Sequence, residues 1–135
     1  PKTLQNDTYY TVSIGNLILE NGIDMKDHYS WHEDLPYTYP HWLYDVLTAL
    51  VYNLGGWNLI YVATCALSIL LGFVIYKVNT SLNKNQVVSF VLTIGVMYLI
   101  KGYITARAQL VTFILYMIVI FLIEEFLKNP KKLRL

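Results

Sequence analysis

Residues 57–76 read WNLIYVATCALSILLGFVIY, twenty residues without a charge. At 1.5 Å of rise per residue, a helix of that length spans about 30 Å, the thickness of a bilayer's hydrocarbon core. The stretch is therefore read as a transmembrane helix. Two more apolar runs follow it. Residues 86–100 are shorter, but Lys101 can snorkel and Gly102 and Tyr103 can extend the helix far enough to cross. Residues 108–123 are apolar throughout, with Phe126 and Leu127 to prolong them before Pro130 limits continuation. Three such runs in close succession argue against buried helices of a soluble protein.

Composition points the same way. Hydrophobic residues make up 56 % of the 135 and charged residues 14 %, against roughly 25 % charged in soluble domains. Twelve tyrosines and three tryptophans suit the aromatic belts at a membrane interface. The predicted fold class is all-α: a fragment of an integral membrane helical bundle, with an extracytoplasmic amphipathic juxtamembrane helix and loop. Its predicted segments are a loop over 1–40 with a helix at about 8–20, a short membrane or interfacial helix over 41–54, and transmembrane helices over 57–76, 86–104 and 106–127. The chain opens on Pro1 and closes on Lys-Lys-Leu-Arg-Leu, so it is expected to belong to a longer protein. No signal peptide is visible. The single cysteine, Cys65, lies in an apolar run and is expected to be a lipid-facing or packed thiol.

Charge divides the chain. Residues 1–45 hold seven acids and two bases, residues 46–123 hold no acid and four bases, and the last twelve set Glu124 and Glu125 against four bases. Most bases flank lipid-length runs, which excludes a nucleic-acid patch. Residues 41–54, HWLYDVLTALVYNL, are short for a crossing and end at Gly55 and Gly56. If they do not cross and the front third is outside, six of the bases after residue 46 fall inside and two outside. A crossing reverses that count, so a partial or interfacial helix is preferred.

In the front third, Tyr10, Ile14, Leu17 and Ile18 recur at helical spacing and give one apolar face. They predict an amphipathic helix resting on the membrane, with Asp7 as its N-cap and Asn21 and Gly22 as its stop. Residues 22–40 are polar, carry two prolines and lack periodicity, as a structured loop would.

The reactive side chains concentrate here: Asp7, Asp24, Asp27, His28, His32, Glu33, Asp34 and His41. Carboxylates and imidazoles serve as general bases or metal ligands. No HExxH and no tight His/Cys quartet is present, so spacing alone reads as a solvated loop with surface acids. Lys101 and Arg107 bracket a short turn between two apolar helices. Such cations either anchor the interface or bind a ligand, and the planar fork of Arg107 suits a phosphate. Gly72 and Gly95, inside apolar runs, suit helix packing.

Taken in order, Asn6-Asp7-Thr8-Tyr9-Tyr10, Gly15, the run from Ile18 to Ile23, Asp27-His28-Tyr29-Ser30, His41-Trp42-Leu43, the Gly55-Gly56 break and Ala106-Arg107-Ala108-Gln109 resemble a known arrangement. It is the first extracytoplasmic loop and following helices of bacterial GT-C-type membrane glycosyltransferases. The closest branch is that related to the dolichyl-phosphate-mannose protein mannosyltransferases and the oligosaccharyltransferases. The resemblance implies a polytopic enzyme whose first transmembrane helix precedes Asp7. It implies a donor sugar on a polyprenyl phosphate or diphosphate, and a location in the bacterial plasma membrane with residues 1–40 extracytoplasmic. Asp7 would be the base or metal-coordinating carboxylate, and Arg107 or Lys101 would steady the departing phosphate. Asp27, with His28, would be a second acid or metal ligand, for a divalent cation such as Mg or Mn whose involvement stays open.

The implied partners are the lipid-linked sugar donor and membrane lipids, with no nucleic acid. Two departures stand out. Many members pair two acids where this chain has Asp7-Thr8, and relatives carry Arg-Pro where it has Arg107-Ala108. The alternatives are a non-catalytic membrane protein on a GT-C-like scaffold, or a transporter subunit. The apolar runs 57–76, 86–100 and 108–123 carry no acid, which argues against the transporter.

Overall fold

A computed structural model describes residues 6–32 and 35–128. Glu33, Asp34, Pro130 and the terminal bases Lys131, Lys132 and Arg134 lie outside the described residues. Among the described residues four helices follow in order: α1 (Asn6–Asn21), α2 (Trp42–Asn83), α3 (Gln86–Ile100) and α4 (Ala108–Lys128), with a 3₁₀ turn at Lys101–Tyr103. Among the described residues the only extended pairing is an antiparallel bridge between Lys26 and Pro36. Three of the described segments are long and apolar enough to cross a membrane: Trp42–Asn83, Gln86–Tyr103 and Ala108–Lys128. In their most apolar windows only 17 %, 11 % and 11 % of residues are buried within the protein, so their outer faces need an apolar surrounding. The chain is an all-α integral membrane protein.

Two compact units make up the chain, Pro1–Tyr61 and Val62–Leu135. The first holds α1, the loop after it and the beginning of α2. Helix α1 stops at Gly22, whose φ of 76° suits glycine and whose N–H donates to the Ile18 carbonyl at 2.9 Å. The helix starts at Asn6, so Asp7 lies in its first turn and not at the cap position expected for it. A carboxylate there still meets the positive end of the helix dipole.

The expected apolar face of α1 is partly used up inside the protein. Ile14 is buried and Leu17 and Ile18 are half-buried, while the Tyr10 hydroxyl donates to that of Tyr37 in the loop, 3.2 Å away. The contact that fixes α1 is backbone on backbone. Gly15 lies so close to α2 that a Cβ placed there would collide with the Asp45 carbonyl and the Ala49 side chain. Asn53 Nδ2 donates to Asn16 Oδ1 at 2.9 Å beside this crossing. Trp57 stacks with Tyr9 and Tyr52, both at 4.5 Å between ring centroids.

Helix α2 is broken at Gly55 (φ −153°, ψ 18°) and Gly56 (φ 62°, ψ −158°). The Gly56 conformation is essentially confined to glycine. The sequence-predicted break is therefore real, and it separates an arm, 42–54, from a stem, 57–83.

In the second unit, Leu71 and Ile75 of the stem form a core with Leu110 and Ile114 of α4, flanked by Met97 of α3. The turn into α3 is polar. Asn85 caps the helix, its side chain accepting from the N–H groups of Val87 at 3.0 Å and Val88 at 3.2 Å. Ser89 Oγ donates to Asn83 Oδ1 at 3.2 Å, Thr93 Oγ1 to the Ser89 carbonyl at 2.7 Å, and Asn79 Nδ2 to Thr93 Oγ1 at 3.2 Å. Lys128 closes the far end of α4 by donating to Ser81 Oγ at 2.7 Å. Thr105, Ala106 and Arg107 stay outside α4, which begins two residues later than expected. A methyl on Gly72 would meet Met97 at an ordinary 3.7 Å, and Gly95 faces open space, so neither is a close-packing glycine. Cys65 is exposed, as a lipid-facing thiol would be.

Candidate functional site

Among its described residues the loop over 22–40 has no helix, yet it is tightly organised. The Lys26–Pro36 bridge sets its two arms side by side. The Asp27 N–H donates to the Leu35 carbonyl at 3.0 Å and the Tyr37 N–H to the Met25 carbonyl at 2.9 Å. Tyr39 clamps the base. Its ring is buried and stacks edge-on with Tyr37 at 5.0 Å, and its hydroxyl reaches Asp24 Oδ1 at 3.0 Å and the Lys26 carbonyl at 2.9 Å. Burial together with the Asp24 charge pushes the Tyr39 phenol up to about 12.

Asp24 is the hub. Its Oδ2 lies 2.5 Å from His28 Nε2, and its Oδ1 also accepts from the Lys26 N–H at 3.1 Å. The hydrogen bond from His28, and then that from Lys26, hold the Asp24 carboxyl down at about 2. Tyr10 titrates above the ordinary tyrosine range, first from burial and then from its bond to Tyr37.

The expected site residues separate into distinct roles. Asp27 Oδ1 accepts from the N–H groups of Tyr29 at 2.9 Å and Ser30 at 3.0 Å, a local side-chain turn that shapes the loop. His28 pairs with Asp24, not with Asp27. Among the described residues no group of three or more His, Cys, Asp or Glu could hold a metal ion. Asp27 and His28 belong to no such group among the described residues. Asp7 is exposed on the first turn of α1. His32 stacks on Trp31 at 4.3 Å between ring centroids.

Lys101 and Arg107 belong to the second unit. The Lys101 ammonium sits 4.0 Å from the centroid of the Tyr98 ring, a cation–π contact on an exposed helix end. Arg107 is half-buried, and its carbonyl accepts from the Leu110 N–H at 3.1 Å, starting α4.

Sequence reading missed Tyr39 and Asp45. Tyr39 meets Asp24 from fifteen residues away in a segment without periodicity. Asp45 is buried at the Gly15 crossing, where Thr11 hydrogen-bonds its carboxylate. No spacing rule connects either pair. Comparison of the chain with family models, curated proteins and solved structures gave no match.

Proposed function

We propose that this chain is part of a GT-C-type membrane glycosyltransferase. It transfers a sugar from a polyprenyl-phosphate-type donor to an acceptor on the extracytoplasmic face of a bacterial plasma membrane, where residues 1–40 lie. The reading rests on the ordered set of short motifs. The structural observation that supports it is the position of Asp7. Asp7 stands exposed on the first turn of a helix that Gly15 fixes in place. A general base is most effective on such a rigid element.

In this reading Asp7 takes the proton of the acceptor hydroxyl while its oxygen bonds the sugar's anomeric carbon. The bond from that carbon to the donor phosphate breaks, and the phosphate leaves with the bonding electron pair. In the intact protein, Asp7→Asn is expected to abolish sugar transfer while expression and folding persist. Transfer at the parental rate would contradict the proposal.

A second reading, a non-catalytic membrane scaffold, draws on the engagement of Asp24, Asp27 and His28 in loop-shaping bonds. It predicts that Asp7→Asn complements a deletion strain fully. The hydrogen-bonded thread of Asn79, Thr93, Ser89 and Asn83 satisfies polar groups between α2 and α3, which disfavours a transporter's ion path there.

A further inference from the structure

The second unit contains a groove of its own. Its floor is Leu71 and Ile75 of α2, both buried and both part of the apolar core. Its walls come from Val96 and Ile100 of α3 and from Phe113 and Met117 of α4. The groove holds about 140 Å³, and no polar atom reaches its surface. It is partly open, and the ring of Tyr116 beside it is exposed.

We propose that this groove holds one acyl chain of a bilayer phospholipid, as a resident lipid distinct from the fluid surround. Three features select a hydrocarbon chain as the occupant. The groove lies among segments long and apolar enough to cross a membrane, whose outer faces are largely unburied, so its mouth is continuous with a surface that hydrocarbon covers. Its size also fits. A dry cavity of about 150 Å³ lined by Leu, Ile and Phe takes up a molecule as small as benzene, so a short length of chain fills this one. An empty groove leaves its walls without dispersion contacts, and a flexible chain restores them. A partner helix is the poorer fit. Helices associate in membranes through small residues that let backbones approach and through side chains that hydrogen-bond across. The walls here are bulky Val, Ile, Phe and Met, with no hydrogen-bonding atom at the surface.

The consequence concerns the core of this unit. Leu71 and Ile75 pack against Leu110 and Ile114 of α4, and on the groove side they meet lipid. The unsaturated thioether chain of Met97 and that of Met117 give this region side chains that can adjust to a bound chain. The inference rests on the second unit alone and holds whether or not the chain transfers sugar.

The test is photolabelling of the intact protein in phosphatidylcholine nanodiscs. A small fraction of the phosphatidylcholine carries a diazirine midway along one acyl chain, and adducts are located by peptide mass spectrometry. Half-buried Phe113 and Met117 should be labelled several-fold more than Ile69 and Leu99, although these are 75 % and 78 % exposed. Val96→Phe and Ile100→Phe, each filling the groove, should cut the adducts at Phe113 and Met117 several-fold and leave those at Ile69 and Leu99 unchanged, with helicity checked by circular dichroism. If neither variant folds, the labelling pattern of the parent protein decides. Labelling that follows exposure, highest at Ile69 and Leu99, or that ignores both filling variants, would mean ordinary surrounding lipid and would overturn the proposal. So would labelled Ile69 and Leu99 with a bare groove, which would mean that another helix or a second copy covers it. Loss of the groove adducts on adding an unlabelled polyprenyl phosphate would assign the groove to that lipid and overturn it equally.

Discussion

The two units are stabilised by different means. In the N-terminal unit, order comes from backbone contact and hydrogen bonds between residues distant in sequence: Gly15 against the Asp45 carbonyl, Tyr39 against Asp24 and Lys26. In the second unit, order comes from an apolar core of Leu71, Ile75, Leu110 and Ile114, and from a polar thread that starts at a helix cap. The first kind of contact tolerates almost no change of shape, because a carbonyl cannot yield to a new methyl. The second spreads over many small contacts, and single changes are partly absorbed.

The sharpest way to break this contrast is Gly15→Leu. The new side chain meets backbone, so α1 must leave the arm. The expected loss is about 3 kcal/mol or more, seen as rapid proteolysis within α1 of the reconstituted protein. Wild-type resistance would show that the crossing is not close. Next comes Tyr39→Phe, which removes a donor shared by Asp24 and the Lys26 carbonyl. It should cost about 1–3 kcal/mol of local loop stability, read by amide exchange across 24–37.

Changes in the second unit should be milder. Asn85→Ala removes the α3 cap for about 1 kcal/mol in a denaturant titration of the second unit's helices. Asn79→Val, which removes one interhelical hydrogen bond, should cost about 0.6 kcal/mol in the same assay. If either outweighed Gly15→Leu, the contrast would be wrong. The smallest effect is acid sensitivity of the loop. Asp24 titrates near 2 instead of its ordinary 3.8, mainly through its bond with His28. A lowered carboxyl stabilises the fold fully above its ordinary value and loses that contribution as pH falls through about 2. Loop amides should therefore stay protected at pH 5 and become labile between about pH 4 and 2.

The same contrast explains what was legible in the sequence. The spans could be read from uncharged runs, because lipid imposes a length and a composition that any window reveals. Gly55 and Gly56 announced the break in α2, and Gly22 the stop of α1, through chemistry local to the glycine. The front unit was legible only in outline. Its helix and its cluster of acids were visible. The clamp on Asp24, the crossing at Gly15 and the burial of Asp45 join residues thirteen to thirty-four positions apart with no periodic signal. The face assigned to α1 was correct at Ile14. Tyr10 instead joins the loop, because Tyr37 offers it a hydroxyl partner.

The central claim is that the front loop is a fixed, clamped structure independent of the packing among the spans. Hydrogen exchange on the intact protein in nanodiscs tests it most directly. The amides of Asp27 and Tyr37, bonded to the Leu35 and Met25 carbonyls, should exchange orders of magnitude more slowly than unbonded loop amides. Tyr39→Phe should release both while α3 and α4 keep their protection. Fast exchange of those two amides in the parent protein, or a loss of protection that spreads into α3 and α4, would contradict the account.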